Sequence, residues 1–161
     1  MLYREYRNAS KRHIATCRYM LKHIASEDED MKRFIIRNVY YLSGYVIETA
    51  LSYSLFSYIG WKRDVDIEIC KLYCKEFKTH ILINKLAFLS KHGVTFHGCE
   101  LIDKAPKNII FNTMFNSWSE VVRYRKPRSI HQLLEIDEAT IASYIDSVDK
   151  VQDFIFKKYP I

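Results

Sequence analysis

An all-α domain of four or five helices, packed as one bundle over residues 1–161, is the fold class this sequence predicts. Four glycines and three prolines leave little material for the tight turns of an all-β chain. A hydrophobic content of 48% is enough to build a core without disulfide or metal staples. Apolar residues recur at helical spacing in most segments, most clearly over residues 34–59, where nothing breaks the pattern.

Residues 3–25 read as the first helix, with Tyr6, Ala9, His13, Cys17, Met20 or Leu21, and Ile24 on one face and basic residues around it. Ser26-Glu27-Asp28-Glu29 has the form of a capping box, so a second helix starts there and closes near Gly60. Val65, Ile69, Leu72 and Phe77 suggest a short third helix over residues 65–77. A fourth runs over residues 80–91, with Ile81, Leu82, Leu86 and Leu89 inward, and stops at His92-Gly93. Two glycines and Pro106 make residues 93–106 the long loop. A helix over residues 108–124 follows, with Ile110, Met114, Trp118 and Val121 or Val122 apolar. Pro127 disfavours helix at Lys126. The last helix covers residues 137–158, through Ile141, Tyr144 or Ile145, Val148, Val151 or Gln152, and Ile155. No internal repeat, low-complexity tract or interdomain linker interrupts the series.

The second helix carries the anomaly. Gly44, Glu48, Leu51 and Leu55 share one face, and Glu48 is the only acidic residue between Met31 and Asp64. A carboxylate on a buried face is costly unless a cation or hydrogen-bond donor meets it, so a partner must come from elsewhere in the fold. Residues 39–61 are long enough to cross a bilayer and hold no Lys or Arg. Glu48 at the midpoint, five hydroxyls from Ser and Thr, and 27% charged residues overall favour a buried central helix over a membrane span.

Charge is unevenly placed. Residues 1–25 hold Arg4, Arg7, Lys11, Arg12, Arg18 and Lys22 against Glu5, a net +5. Residues 120–131 hold Arg123, Arg125, Lys126 and Arg128 against Glu120, a net +3, while the whole chain is +6. Two basic segments on a near-neutral body suggest a polyanion-binding surface; a solvated helix face plus a charged loop is the competing reading. Cys17, Cys70, Cys74 and Cys99 form no CxxC pair. The Cys70/Cys74 spacing would suit a metal, but core thiols account for all four, and no metal or cofactor is expected. The basic N-terminal residues are followed by no apolar run and cleavage site, which points to a cytoplasmic setting.

Three pieces, in order along the chain, resemble the HEPN domain family (higher-eukaryote and prokaryote nucleotide-binding domains). Tyr41-Leu42-Ser43-Gly44-Tyr45-Val46-Ile47-Glu48-Thr49-Ala50-Leu51 is similar to that family's second-helix pattern, aromatic-Leu-Ala-Gly-Tyr-Ala-Val-Glu-Cys-Ala-Leu-Lys. Thr49 stands where Cys is common and Ser52 where Lys is common. Thr79-His80-Ile81-Leu82 is similar to Thr-His-Asp-Leu at the following helix start, with Ile81 replacing the acid. Trp118 with Arg123-Tyr124 is similar to the Trp-x4-Arg-Tyr before the family's last helix. The resemblance spans about residues 35–155.

It implies an HEPN-like bundle, usually a homodimer, that is either a metal-independent ribonuclease or a non-catalytic module binding RNA or nucleotide. It also implies a bacterial defence or toxin–antitoxin setting, with a cognate nucleotidyltransferase or antitoxin as a partner. The 14% aromatic content adds an apolar face for a two-fold mate. The family's ribonucleases carry Arg followed after four to six residues by His: the His moves the 2′-OH proton or protonates the leaving oxygen, and the Arg neutralises phosphoryl charge. Arg7-x5-His13, Arg18-x4-His23 and Arg125-x5-His131 match that spacing. Only Arg125 and His131 lie near the expected place, and Pro127 interrupts them where helix is usual.

The sequence therefore nominates Arg125 and His131 as the candidate catalytic pair. Arg7, Lys11, Arg12, Arg123, Tyr124 and Arg128 are the candidate binding residues. Glu48, Trp118 and His80 are candidate structural polar positions, with Arg123 the expected partner of Glu48 and His80 a cap or local donor. The leading reading is RNA or nucleotide binding; the alternatives are cleavage by Arg125 and His131, and a protein-interaction bundle that meets an acidic partner. No Gly-rich phosphate loop, nucleophile elbow or HExxH motif is present in the sequence.

Overall fold

Five helices follow one another in the computed structural model, which describes residues 1–103, 108–120 and 136–160: α1 (Arg4–His23), α2 (Glu29–Tyr58), α3 (Leu82–Lys91), α4 (Ile109–Ser117) and α5 (Glu138–Lys158). Among the described residues the regular structure is entirely helical, and no helix is long and apolar enough to cross a membrane. The bundle is all-α.

α2 is the axis of the fold. Every residue from Val46 to Phe56 is buried, so this stretch is enclosed on all sides rather than on one stripe. Its start is set by Asp28, whose carboxylate accepts the Met31 N–H at 2.8 Å; the Ser26 hydroxyl instead donates to the His23 carbonyl. The cap is thus Asp28, two residues beyond the expected Ser. Its end is set by Gly60, whose φ of 64° takes the left-handed turn that closes helices.

α1 runs antiparallel to α2 and makes the most extensive helix pairing with it. Tyr3 stacks on Tyr53, the Ser10 hydroxyl donates to the Val46 carbonyl at 2.8 Å, and the Cys17 thiol meets the Val39 carbonyl. α5 runs parallel to α2: Tyr144 lies against Tyr40 and Phe156 against Tyr53. Gln152 Nε2 on α5 donates to the Ser10 hydroxyl at 2.7 Å, so α1, α2 and α5 are tied by one buried polar chain in which the Ser10 hydroxyl both donates and accepts.

Four expectations are corrected. The inward stripe of α1 is Tyr3, Ser10, Ile14 and Cys17, with Arg7 and Leu21 half-buried on the same line; His13 and Tyr6 flank it instead of leading it. Residues 65–77 form a 3-10 turn over Ile67–Ile69 followed by irregular turns, because the Asp66 carboxylate caps the Glu68 N–H and Cys70 is extended. The next helix begins at Leu82, two residues later than expected, because Ile81 is extended while the Thr79 hydroxyl takes its N–H. α4 ends at Ser117, because Trp118 adopts an extended backbone with ψ of 134°.

That turn at Trp118 seats its indole directly on Gly44. A Cβ built on Gly44 would lie 1.8 Å from Trp118 Cε2, so the two groups are in contact with no room for a side chain. The indole Nε1 donates to the Tyr41 carbonyl at 3.0 Å, and the ring meets Tyr45 edge-on at 5.2 Å. The Tyr41-to-Tyr45 turn of α2 is the socket for Trp118.

Candidate functional site

Glu48 points from the buried middle of α2 toward the segment that leads into α3. The residue is 8% exposed, and both carboxylate oxygens lie 3.0 Å from His80 Nδ1. Lys85 Nζ is 3.6 Å from Oε1, in a side chain that is only 2% exposed. Lys85 also donates to the Ser52 hydroxyl at 2.9 Å, and its ammonium sits 4.7 Å from the centre of the Phe77 ring. Ser52 lies four residues past Glu48 and donates back to the Glu48 carbonyl. The buried charge is therefore matched by a buried ammonium and capped by a half-exposed imidazole.

Burial lowers the Lys85 ammonium from its ordinary value, and the Glu48 charge and hydrogen bond pull it back up. Burial likewise lowers His13, the Arg12 guanidinium lowers it further, and Glu48 raises it. Burial pushes up the Tyr6 phenol, with the Tyr73 charge and hydroxyl adding to the shift. These side chains gather on one seam where α1, α2 and residues 73–80 meet. Arg12 is exposed and adjoins His13 in sequence, and the His13 ring is 5.8 Å from that of Tyr45.

The structure separates the expected binding residues of α1. Arg7 belongs to the packing: its guanidinium lies 4.8 Å from the Phe156 ring centre and 5.6 Å from that of Tyr53. Arg18 is paired with Asp149 of α5. Lys11, Arg12 and Lys22 are exposed. Arg12, Tyr19 and His23 recur at i, i+7 and i+11 on the outer face of α1, where Tyr19 is 68% exposed and its ring lies 4.5 Å from that of His23, tilted by 44°. Sequence reasoning had not singled out Tyr19, whose signal was an aromatic residue on the polar face.

Of the remaining candidates, Trp118 is 2% exposed in its socket, and the His80 side chain is 48% exposed against Glu48. Arg123, Tyr124, Arg125, Arg128 and His131 lie outside the described residues, as does Pro127. The partners of Glu48 that are described are Lys85 and His80, while the expected Arg123 lies outside the described residues. Lys85 was missed although Leu82, Lys85 and Leu89 share the buried face of α3, a pattern visible in the sequence. Burial pushes the Cys17 thiol up to about 12 and the Cys99 thiol up to about 11. Among the described residues no group of three or more His, Cys, Asp or Glu is placed to hold a metal ion.

A groove of about 540 Å³ lies elsewhere, between α3 and α4, and is lined by Leu86, Phe96, Phe115 and Asn112 among others. Among the described residues its lining holds no Lys or Arg. No family model, curated protein or solved structure matches this chain.

Proposed function

We propose that this protein is an HEPN-like helical module that binds RNA through the outer face of α1 and does not cleave it. The observation that carries the reading is the line of Arg12, Tyr19 and His23, an exposed guanidinium and an exposed pair of tilted aromatic rings on one helix face. Cations that track a phosphate backbone and rings that stack on unpaired bases are the two elements of single-strand recognition. Lys11 and Lys22 add exposed positive charge along the same helix. The resemblance extends the proposal to a bacterial defence or toxin–antitoxin setting, and to a homodimer or a complex with a nucleotidyltransferase or antitoxin.

Salt dependence tests it. RNA affinity is expected to fall linearly on a log–log plot against salt, with a slope of about −0.7 for each phosphate neutralised on a single strand. Replacing Lys11, Arg12 and Lys22 together with Ala should flatten that slope by about 2 and weaken binding to unrelated sequences alike. Arg7 is left intact in this variant, because removing it would disturb the packing against Phe156. An unchanged slope would remove α1 from the interface and favour the protein-interaction reading.

A further inference from the structure

The groove between α3 and α4 has walls that are each anchored from outside it. Its volume of about 540 Å³ lies in the range of sites that enclose a small organic molecule. Leu86 and Ala87 line it from α3, Phe115 from α4, and Phe96 from the segment that follows α3. The Tyr40 hydroxyl donates to the Met114 carbonyl at 2.7 Å and ties α4 to α2. The Val94 N–H is donated to the Leu89 carbonyl at 3.0 Å, which closes the end of α3 onto the next segment. The Tyr159 hydroxyl donates to the Thr95 carbonyl at 3.1 Å, and its ring lies 6.2 Å from that of Phe96. These bonds hold the cavity open before any ligand arrives, so little ordering is left for binding to impose.

Two asparagines give this apolar cavity a polar edge. Asn112 and Asn116 stand one turn apart on α4 and both line it, Asn112 half-buried and Asn116 exposed. The Asn116 amide donates to the Asn112 side-chain carbonyl at 2.8 Å, which leaves the Asn112 amide as a donor and the Asn116 carbonyl as an acceptor. Exchanging nitrogen and oxygen in both side chains returns the same inventory, so the pair offers a donor and an acceptor either way. A carboxylate or phosphate brings acceptors alone and an ammonium brings donors alone, so each satisfies half of the pair. A ring amide carries N–H and C=O side by side in one plane and satisfies both. We infer that this groove binds an uncharged planar ring amide, a lactam within an aromatic ring system. Its amide edge meets Asn112 and Asn116, and its ring body lies against Leu86, Phe96 and Phe115. Asp103, also in the lining, accepts the Gly98 N–H at 2.8 Å and belongs to the loop's own bonding. Among the described residues the lining includes none from α1, so the site stands whether or not the α1 face binds RNA.

Carbostyril, quinoline and naphthoate test this directly, because all three present a two-ring body and only carbostyril carries the lactam N–H and C=O. Binding to the full chain is followed by the NMR shifts of its backbone and side-chain amides. Carbostyril is expected to shift the Asn112 and Asn116 side-chain amides and to bind about three- to tenfold more tightly than quinoline, the range of one added hydrogen bond. Naphthoate should bind no better than quinoline. The double variant Asn112→Leu, Asn116→Leu keeps side chains of similar size and should bring the carbostyril-to-quinoline ratio close to one. Asn116→Leu alone, at an exposed position, should lower the ratio and serves as the reading if the double variant does not fold. Ala87→Phe, which fills the groove from an exposed position on α3, should abolish binding of both rings. No binding by the wild type, shifts confined to residues outside the groove, equal affinity for carbostyril and quinoline, or a preference unmoved by the asparagine variants would each overturn the inference.

Discussion

Replacing Glu48 with Leu is expected to destabilise the fold by about 3–5 kcal/mol, because it strands a buried ammonium. Lys85 is 2% exposed, and without Glu48 its remaining polar contact among the described residues is the Ser52 hydroxyl. The sign of the pH dependence follows from burial. Lys85 already sits below its ordinary value of 10.5, held down by desolvation and partly restored by Glu48. A lysine lowered in the folded state binds fewer protons there than in the unfolded chain, so stability rises with pH from the folded value up to 10.5. Losing Glu48 lowers the folded value further and widens that window. Urea unfolding of Glu48→Leu should therefore show a deficit that shrinks at alkaline pH. The double variant Glu48→Leu, Lys85→Met should regain most of the loss at neutral pH, since an apolar pair of similar volume replaces a costly ionic one. A deficit that ignores both pH and Lys85→Met would mean that the ammonium is not what Glu48 compensates.

Gly44→Ala is the second change with a large expected effect, about 3 kcal/mol, since overpacking at a rigid contact leaves little room to relax. The added carbon would sit 1.8 Å from Trp118 Cε2 and 2.1 Å from Cδ2, inside the indole rather than beside it. Trp118→Ala alone should cost about 3–5 kcal/mol through the cavity it leaves. The two together should cost clearly less than their sum, because the alanine methyl then enters vacated space. Strict additivity in urea unfolding would show that the indole does not occupy the Gly44 surface.

The Gly44–Trp118 contact explains how much of this fold was legible in the sequence. Gly44 and Trp118 were each visible as parts of separate motifs, but their contact was not, since periodicity reports a face and not its partner. The central helix was readable because its apolar run is long and Gly60 closes it, although its start was read from Ser26, two residues before the Asp28 that caps it. Residues 65–77 misled because Val65, Ile69, Leu72 and Phe77 follow helical spacing only loosely, and a single Asp66 cap and an extended Cys70 suffice to stop a weak helix.

The candidate site was half legible. Glu48 announced the need for a partner by its isolation, but the sequence reading named only Arg123, which lies outside the described residues, and did not single out Lys85. It is buried because Glu48, Ser52 and the Phe77 ring together replace its water. On α1, a basic run looked like one surface. The register places Arg7 on Phe156 and Arg18 on Asp149, which leaves Lys11, Arg12 and Lys22 to face solvent. Net charge could not make that division, because it depends on where α5 lies.

Binding without cleavage is the central claim, and one experiment addresses both halves of it. A labelled, folded RNA is incubated in EDTA with excess protein and resolved in parallel on native and denaturing gels. The account predicts a shifted band at low salt on the native gel and full-length RNA on the denaturing gel, for the wild type and for His131→Ala alike. RNA fragments produced by the wild type and absent with His131→Ala would contradict it and assign catalysis to Arg125 and His131; an unshifted band at low salt would contradict binding itself.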